Sequence, residues 1–111
     1  MTISYEDFEH VDVRSGTIIK VEEFPRAKKP AYKIWADFGD KIGIKQTSAQ
    51  VTIHYNPESL VGRSIAGCVN LGVKNIAGFT SEFLLLGFAD DAGAICLLTA
   101  DPKVPNGQKM C

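Results

Sequence analysis

A small all-β barrel is predicted by three observations. Period-two alternation runs through Val11–Phe24 and again through Tyr32–Phe38, the pattern of strands with one buried face. Turn residues, Gly39-Asp40 and Asp90–Gly93 among them, separate the apolar runs, as hairpin connections require. Helix signals are confined to two short stretches. The elements then run strand, strand, strand, short helix, strand, strand, followed by an extra strand and a tail.

Taken in order, Ser4-Tyr5-Glu6-Asp7 followed by Phe8 has the form of a capping box and predicts a helix of one or two turns near residues 4–9. From Val11 to Phe24, the residues Val11, Val13, Thr17, Ile19 and Val21 fall on one face and Asp12, Arg14, Lys20 and Glu22 on the other. Gly16 marks a bulge or bend in this long strand. A strand bent there can serve two sheets of a barrel. Phe24–Pro30 is a loop bracketed by two prolines and carrying three positive charges, since proline and the residue before it resist regular structure. Tyr32, Ile34, Ala36 and Phe38 share a face of the second strand, opposite Lys33, Trp35 and Asp37. Gly39-Asp40 predicts a tight turn into a third strand, Ile42–Ser48, with Lys45 and Thr47 on one face and Ile44, Gln46 and Ser48 on the other.

Ser48 and Asn56 both have the character of helix N-caps, Asn56 being followed by Pro57, so two short helical pieces are expected within residues 49–60. Strand four is Ser64–Leu71, strand five Phe83–Phe88, and a sixth strand, Ala94–Leu98, follows the Asp90–Gly93 turn. The tail, Thr99–Cys111, with Pro102, Pro105 and Gly107, is expected to run extended. This is the element order of an OB-fold, a five-stranded Greek-key barrel, here with short helices, an extra strand and terminal extensions. Its second and third strands, its first-to-second loop and its fourth-to-fifth loop commonly bind oligonucleotides. In this chain those loops are the basic Arg26–Lys29 and Gly72–Thr80, which carries Lys74 and Asn75.

The 111 residues amount to one domain, with a barrel core over about residues 8–98 and a hydrophobic share of 45% that needs neither disulfides nor a metal to fold. No apolar run approaches the roughly 20 residues of a membrane span, and MTISYEDFEH is acidic where a signal peptide is basic and then apolar. A cytoplasmic protein without membrane insertion is expected. Cys68, Cys96 and Cys111 are odd in number and far apart, which suits reduced core thiols better than a disulfide framework. His10 and His54 have no cysteine or carboxylate at ligand spacing beside them, so no metal site and no cofactor is expected. Net charge is −1, but residues 1–25 carry −4, residues 26–81 +5 and residues 82–111 −2. The basic middle is either the footprint of a polyanion binder or a set of lysines guarding strand edges.

The polar centre of the chain is Cys68–Gly87, where two apolar runs flank Asn70, Lys74, Asn75, Ser81 and Glu82. It supplies donors, acceptors and one cation. Ser81 has an acid beside it in Glu82 but no histidine or lysine placed to activate it, and no phosphate loop or metal motif appears. A binding edge is therefore expected and not an enzyme. Lys74 with Arg26, Lys28 and Lys29 is the candidate for phosphate contact, or a solvated loop set. Trp35, flanked by Lys33 and Asp37, either stacks on a base or grips an apolar side chain, or packs under a loop or across a dimer. Ser81 and Glu82 either orient a nucleotide or, in the case of Glu82, pair with Arg14. Asn70, at the end of an apolar strand, suits satisfaction of loop backbone groups.

FEHVDVRSGTIIKVEEFPRA, VGRSIAGCVNLGVKNIAGFTSEFLLLG and DPKVPNG, in this order, together resemble the tRNA-binding domain that occurs as free dimers and attached to methionyl- and phenylalanyl-tRNA synthetases. The resemblance runs from Phe8 to Gly107. Within that family the stretch IGIKQTSAQ, Ile42–Gln50, looks most like the CsaA proteins, described as bacterial secretion chaperones. Many members have Ser-Glu-Gly-Met where this chain has Ser81-Glu82-Phe83-Leu84, a departure that agrees with the CsaA branch. The resemblance implies a homodimer with terminal segments in its interface. It also implies a polar binding edge on Asn70, Lys74, Ser81 and Glu82, with Arg14, Lys45 and Gln46 nearby on the sheet. The implied partners are unfolded or precursor polypeptides in protein export, with the export machinery behind them, or tRNA and other structured RNA. Polypeptide binding would rest on main-chain hydrogen bonds and shallow apolar pockets, RNA binding on salt-sensitive phosphate contacts.

Overall fold

A computed structural model describes residues 1–111. The chain runs through α1 (Tyr5–Glu9), β1 (Val13–Glu23), β2 (Tyr32–Asp37), β3 (Ile44–Ala49), α2 (Pro57–Leu60), β4 (Ser64–Cys68), β5 (Lys74–Ile76), β6 (Phe79–Ser81), β7 (Leu84–Leu85), β8 (Gly87–Ala89) and β9 (Ile95–Leu97). Five strands form one antiparallel sheet in the order β3-β2-β1-β4-β7, and β5-β6 and β8-β9 are separate two-stranded arms. β1 is the spine. Its residues 13–17 pair with β4 and its residues 17–23 with β2, so Thr17 faces a neighbour on each side. The sheet curls until β3 meets the segment before β7, a nearly closed barrel of the OB-like all-β class that the element order predicted.

The seam is closed by a side chain standing in for backbone. Glu82 N donates to Gln46 O at 2.8 Å, and Gln46 N donates to the Glu82 carboxylate Oε1 at 3.0 Å. Beside it, Thr47 Oγ1 donates to Phe83 O at 2.7 Å and lies 2.7 Å from Ser81 Oγ. The Arg14–Glu82 pair, one of the two readings of Glu82, does not form. Arg14 Nε instead donates to Asp12 Oδ1 at 2.6 Å, and its Nη1 to Gly107 O at 3.0 Å.

Ile18, Ile34, Phe38, Leu60 and Ile65 are fully buried at the centre. The Phe38 and Phe83 rings meet edge-to-face at 4.9 Å, a favoured aromatic geometry. This pair explains two glycines. A Cβ on Gly16 would lie 2.8 Å from the Phe38 ring, and one on Gly67 would lie 2.8 Å from both rings. Gly16 is thus a close-approach position and not the bulge. The bulge falls between Ile18 and Lys20, and it reverses the alternation expected for β1. Ile18 turns inward while Ile19 is exposed, because an extra residue flips every side chain on one side of it.

Both short helices begin as their caps predict. Ser4 Oγ accepts from Asp7 N and the Asp7 carboxylate accepts from Ser4 N; Asn56 Oδ1 accepts from Ser59 N at 2.8 Å. The second helical piece is absent, since Ser48 lies inside β3 and donates its amide to Ser81 Oγ at 3.3 Å. The β2–β3 connection is longer than a tight Gly39-Asp40 turn. Phe38 N donates to Gly43 O and Gly43 N to Gly39 O, and both glycines have positive φ. β4 stops at Cys68, three residues early, and the fifth strand breaks at Leu86 into β7 and β8.

Burial, with Glu23 nearby, pushes the Tyr32 phenol up. Protonated, it donates to Tyr55 O at 3.1 Å. At the β8–β9 turn Asp90 Oδ1 accepts from Ala92 N and Ala94 N. The hydrogen bond to His54, with that from Ala94, holds its carboxyl below the usual range. The tail runs along the edge of β1 that β2 leaves open. Ser15 N donates to Gln108 O, Gly107 N to Ser15 O and Met110 N to Val13 O. Cys68 is buried, but Cys96 and Cys111 are exposed, so Cys96 is not the core thiol its apolar surroundings suggest. No helix is long and apolar enough to cross a membrane.

Candidate binding groove and aromatic face

The segment expected as a loop at Gly72–Thr80 is a hairpin arm. Ile76 and Phe79 pair across a two-residue turn in which Ala77 and Gly78 both have positive φ, 49° and 84°. That is the mirror-image turn matching strand twist. Gly78 N donates to Asn75 Oδ1 at 3.1 Å and tightens it. The arm folds back over the outer face of β2 and β3, separating two surfaces.

On one side lies an aromatic face. Phe79 of the arm meets Trp35 edge-on at 5.8 Å and Phe24 at 5.6 Å. Lys20 Nζ sits 4.6 Å from the Trp35 ring, and Lys33 Nζ 5.0 Å from Phe24 and 5.2 Å from Phe79, distances at which cation and π-face attract. Trp35 Nε1 donates to Gln46 Oε1 at 3.1 Å, and Gln46 Nε2 to Thr80 O at 2.8 Å. Trp35 is accordingly half-buried and packed under the arm. Its ring, its N–H and the Gln46 amide are already engaged.

On the other side lies a groove of about 890 Å³. The seam that Glu82 closes splays further along, and the groove opens between Ser48–Val51 on one wall and Leu84–Gly87 on the other. Its apolar lining includes Ile76, Leu84, Leu85 and Ile95, and Arg26, Lys28 and Lys29 stand along its rim. Leu84 is half exposed. An apolar trough with a basic rim can take an extended chain carrying apolar side chains and acidic or phosphate groups.

The structure therefore brings Arg26, Lys28 and Lys29 together on the groove, and Lys33, Trp35 and Gln46 on the aromatic face. Lys74 is exposed on β5, opposite Ser81. Other candidates sit elsewhere or are occupied. Arg14 lies six positions along β1 from Lys20, roughly 20 Å at strand rise, and is held by Asp12 and the tail. Asn70 Oδ1 accepts from Asp12 N at 3.0 Å and its Nδ2 donates to His10 O at 2.7 Å, the backbone-satisfying role its position suggested. Ser81 is buried with Thr47, and one carboxylate oxygen of Glu82 is taken by Gln46 N. Lys45 pairs with Ala36, on the face opposite Gln46. Lys20, Phe24 and Phe79 were not singled out in the sequence, because each becomes part of a surface only when the arm folds back. Alternation around Trp35 was the one available signal.

Residues 13–109 match the family model described as a tRNA binding domain. The chain is 34% identical over 108 residues to the methionine–tRNA ligase of Methanocaldococcus jannaschii, covering 97% of this chain and 16% of that enzyme. The chain spans only such a fraction of the ligases it matches. Among solved structures it is similar to the chaperone CsaA of Bacillus anthracis, 44% identical with a TM-score of 0.93 over 100% of both chains. It is also similar to the CsaA chaperone protein of Picrophilus torridus, 43% identical with a TM-score of 0.93 over 99% of this chain and 100% of that one.

Proposed function

The chain belongs to the tRNA binding domain family, and from that premise we propose that it is a non-catalytic, homodimeric binding protein of the CsaA type, holding unfolded or precursor polypeptides in its groove. The observation that carries this reading is the composition of the groove: apolar walls of Ile76, Leu84, Leu85 and Ile95 under a rim of Arg26, Lys28 and Lys29. An extended segment laid between the splayed ends of β3 and β7 would meet strand-edge backbone as well as shallow apolar pockets. That mode tolerates many sequences. A place in protein export within the cytoplasm rests on the likeness to the CsaA chaperones.

Binding of tRNA or another structured RNA is the second reading. It is favoured by Arg26, Lys28 and Lys29 together with the exposed Lys74, which could follow a phosphate backbone. The half-buried Trp35 adds little stacking surface, being covered by Phe79.

Fluorescence anisotropy with nucleic-acid-free protein separates the two. Labelled unfolded precursor should bind in the micromolar range and lose affinity on Leu84→Asp, with little change as salt rises. Labelled mixed tRNA, if it binds through four cations per protomer, should show a log–log salt slope of about −3 to −4, and Lys74→Glu should abolish it while leaving the fold intact. Absence of precursor binding at either salt rules out the chaperone reading. Absence of tRNA binding, or tRNA affinity unmoved by Lys74→Glu, removes the RNA reading or that residue from it. Sedimentation equilibrium should return the mass of a dimer.

A further inference from the structure

In sequence His54 has no ligand beside it, yet the fold sets Asp90 and Cys96 against it. His54 comes from the turn before α2, Asp90 from the β8–β9 turn and Cys96 from the middle of β9. Their donor atoms all lie within 4.8 Å of one another, and His54 Nε2 is 2.6 Å from Asp90 Oδ2. We propose that these three side chains form a surface site for a single divalent ion of the zinc class.

Three properties of the cluster suit such an ion. The first is ligand chemistry. One imidazole, one thiol and one carboxylate make a mixed nitrogen, sulfur and oxygen set of the kind zinc accepts, whereas calcium and magnesium call for oxygen alone. The second is shape. A thiol–imidazole–carboxylate relay for catalysis would place sulfur and carboxylate on opposite sides of the ring. Here the three atoms form a closed triangle. Bond lengths of about 2.0–2.3 Å around a tetrahedral ion put neighbouring donors roughly 3.2–3.8 Å apart. Drawing the three onto one ion therefore takes movements of about 1 Å, within reach of rotation by exposed side chains.

The third is support from behind the ligands. Asp90 Oδ1 is fixed by Ala92 N at 3.0 Å and Ala94 N at 2.9 Å, which leaves Oδ2 as the outward oxygen. Leu97 N donates to Tyr55 Oη at 2.8 Å. That bond ties the residue after Cys96 to the residue after His54, so both carriers are stapled without the ion. Outer hydrogen bonds of this kind orient metal ligands. The fourth position is open to water. Binding breaks the His54–Asp90 hydrogen bond, the neutral imidazole carrying its proton on Nδ1, and the Cys96 thiol gives its proton to solvent as it ligates, so affinity falls on acidification. The bound ion clamps the β8–β9 arm to the turn before α2.

The test is titration of the reduced full-length chain with zinc by calorimetry and with cobalt(II) by absorbance. One ion per chain is expected, with the near-ultraviolet charge-transfer band of a cobalt–thiolate bond and the visible bands of tetrahedral cobalt. Zinc should raise the melting temperature. Cys96→Ser and His54→Gln, both at exposed positions, should each lower affinity by at least the roughly 10–100-fold that disturbing a ligand's support costs, and should abolish the thermal shift. Cys111→Ser should retain both. No thiolate band, affinity unmoved by Cys96→Ser, or loss of binding in Cys111→Ser would each overturn the assignment, the last by moving the metal to the tail thiol. Circular dichroism and the metal-free melting temperature of each variant separate loss of ligand from loss of fold.

Discussion

Thr47 and Ser81 share a hydroxyl contact 2.7 Å long, and Thr47 also donates to Phe83 O. Both residues are buried. Thr47→Val keeps the shape of the side chain but strips partners from the Ser81 hydroxyl and the Phe83 carbonyl, and an unsatisfied buried group is expensive. Urea denaturation should show a loss of about 1–3 kcal/mol, with precursor affinity unchanged wherever the variant remains folded. Weakened binding by fully folded Thr47→Val would return Ser81 to the ligand surface. At this scale the sequence was informative about Asn70, whose place at a strand end foretold its backbone hydrogen bonds. It left Glu82 open between a nucleotide and Arg14, and named neither the Gln46 amide nor the seam that supplies it. Amides needing acceptors leave no mark on a sequence when they arise at a seam between strands far apart in the chain.

The β5–β6 arm depends on one contact set. Its strands are three residues each, too short to stand alone as a hairpin, and Phe79 anchors it to Trp35 and Phe24. Phe79→Ala should reduce stability by on the order of 2 kcal/mol, less than a full core truncation because the ring is only partly buried. The emission of Trp35, the only tryptophan, should move to longer wavelength as water reaches the indole. Precursor affinity should fall too, as Ile76 and Ala77 line the groove. An unshifted spectrum would mean that the arm does not rest on this stack. The alternation of Tyr32–Phe38 was fully legible, for β2 is regular and its buried set is Tyr32, Ile34, Ala36 and Phe38. The arm was not. Brief strands show no periodicity, and Ala77 at φ 49° occupies a place where glycine or asparagine usually advertises the turn. The bulge in β1 hid itself similarly, since Ile18 and Ile19 are interchangeable to a pattern and only pairing selects between them.

Across the whole molecule, barrel topology was legible because turn chemistry and strand order agree with each other. The convergence of Arg26, Lys28 and Lys29 on one rim was visible as a basic loop. The meeting of His54 with Asp90 and Cys96 was not, because the turn before α2 and the β8–β9 hairpin are distant in the chain and become neighbours only in the fold. The tail is a further case of long-range assembly. Residues 107–110 pair with Val13 and Ser15, Ser15 Oγ donates to Pro105 O and Thr17 Oγ1 to Asn106 Oδ1. Deleting residues 105–111 should lower the melting temperature and produce rising light scatter at constant protein concentration. A clear solution with unchanged melting would show that the pairing contributes nothing.

That scatter would have a specific origin. A strand with half of one side unpaired is a template on which another chain can add, and β1 is the spine of the barrel. Covering it from within the same chain makes the C-terminal segment a built-in guard against aggregation. If the proposed reading holds and extended polypeptides are received in the groove, the tail keeps β1 from becoming a second place for them to bind.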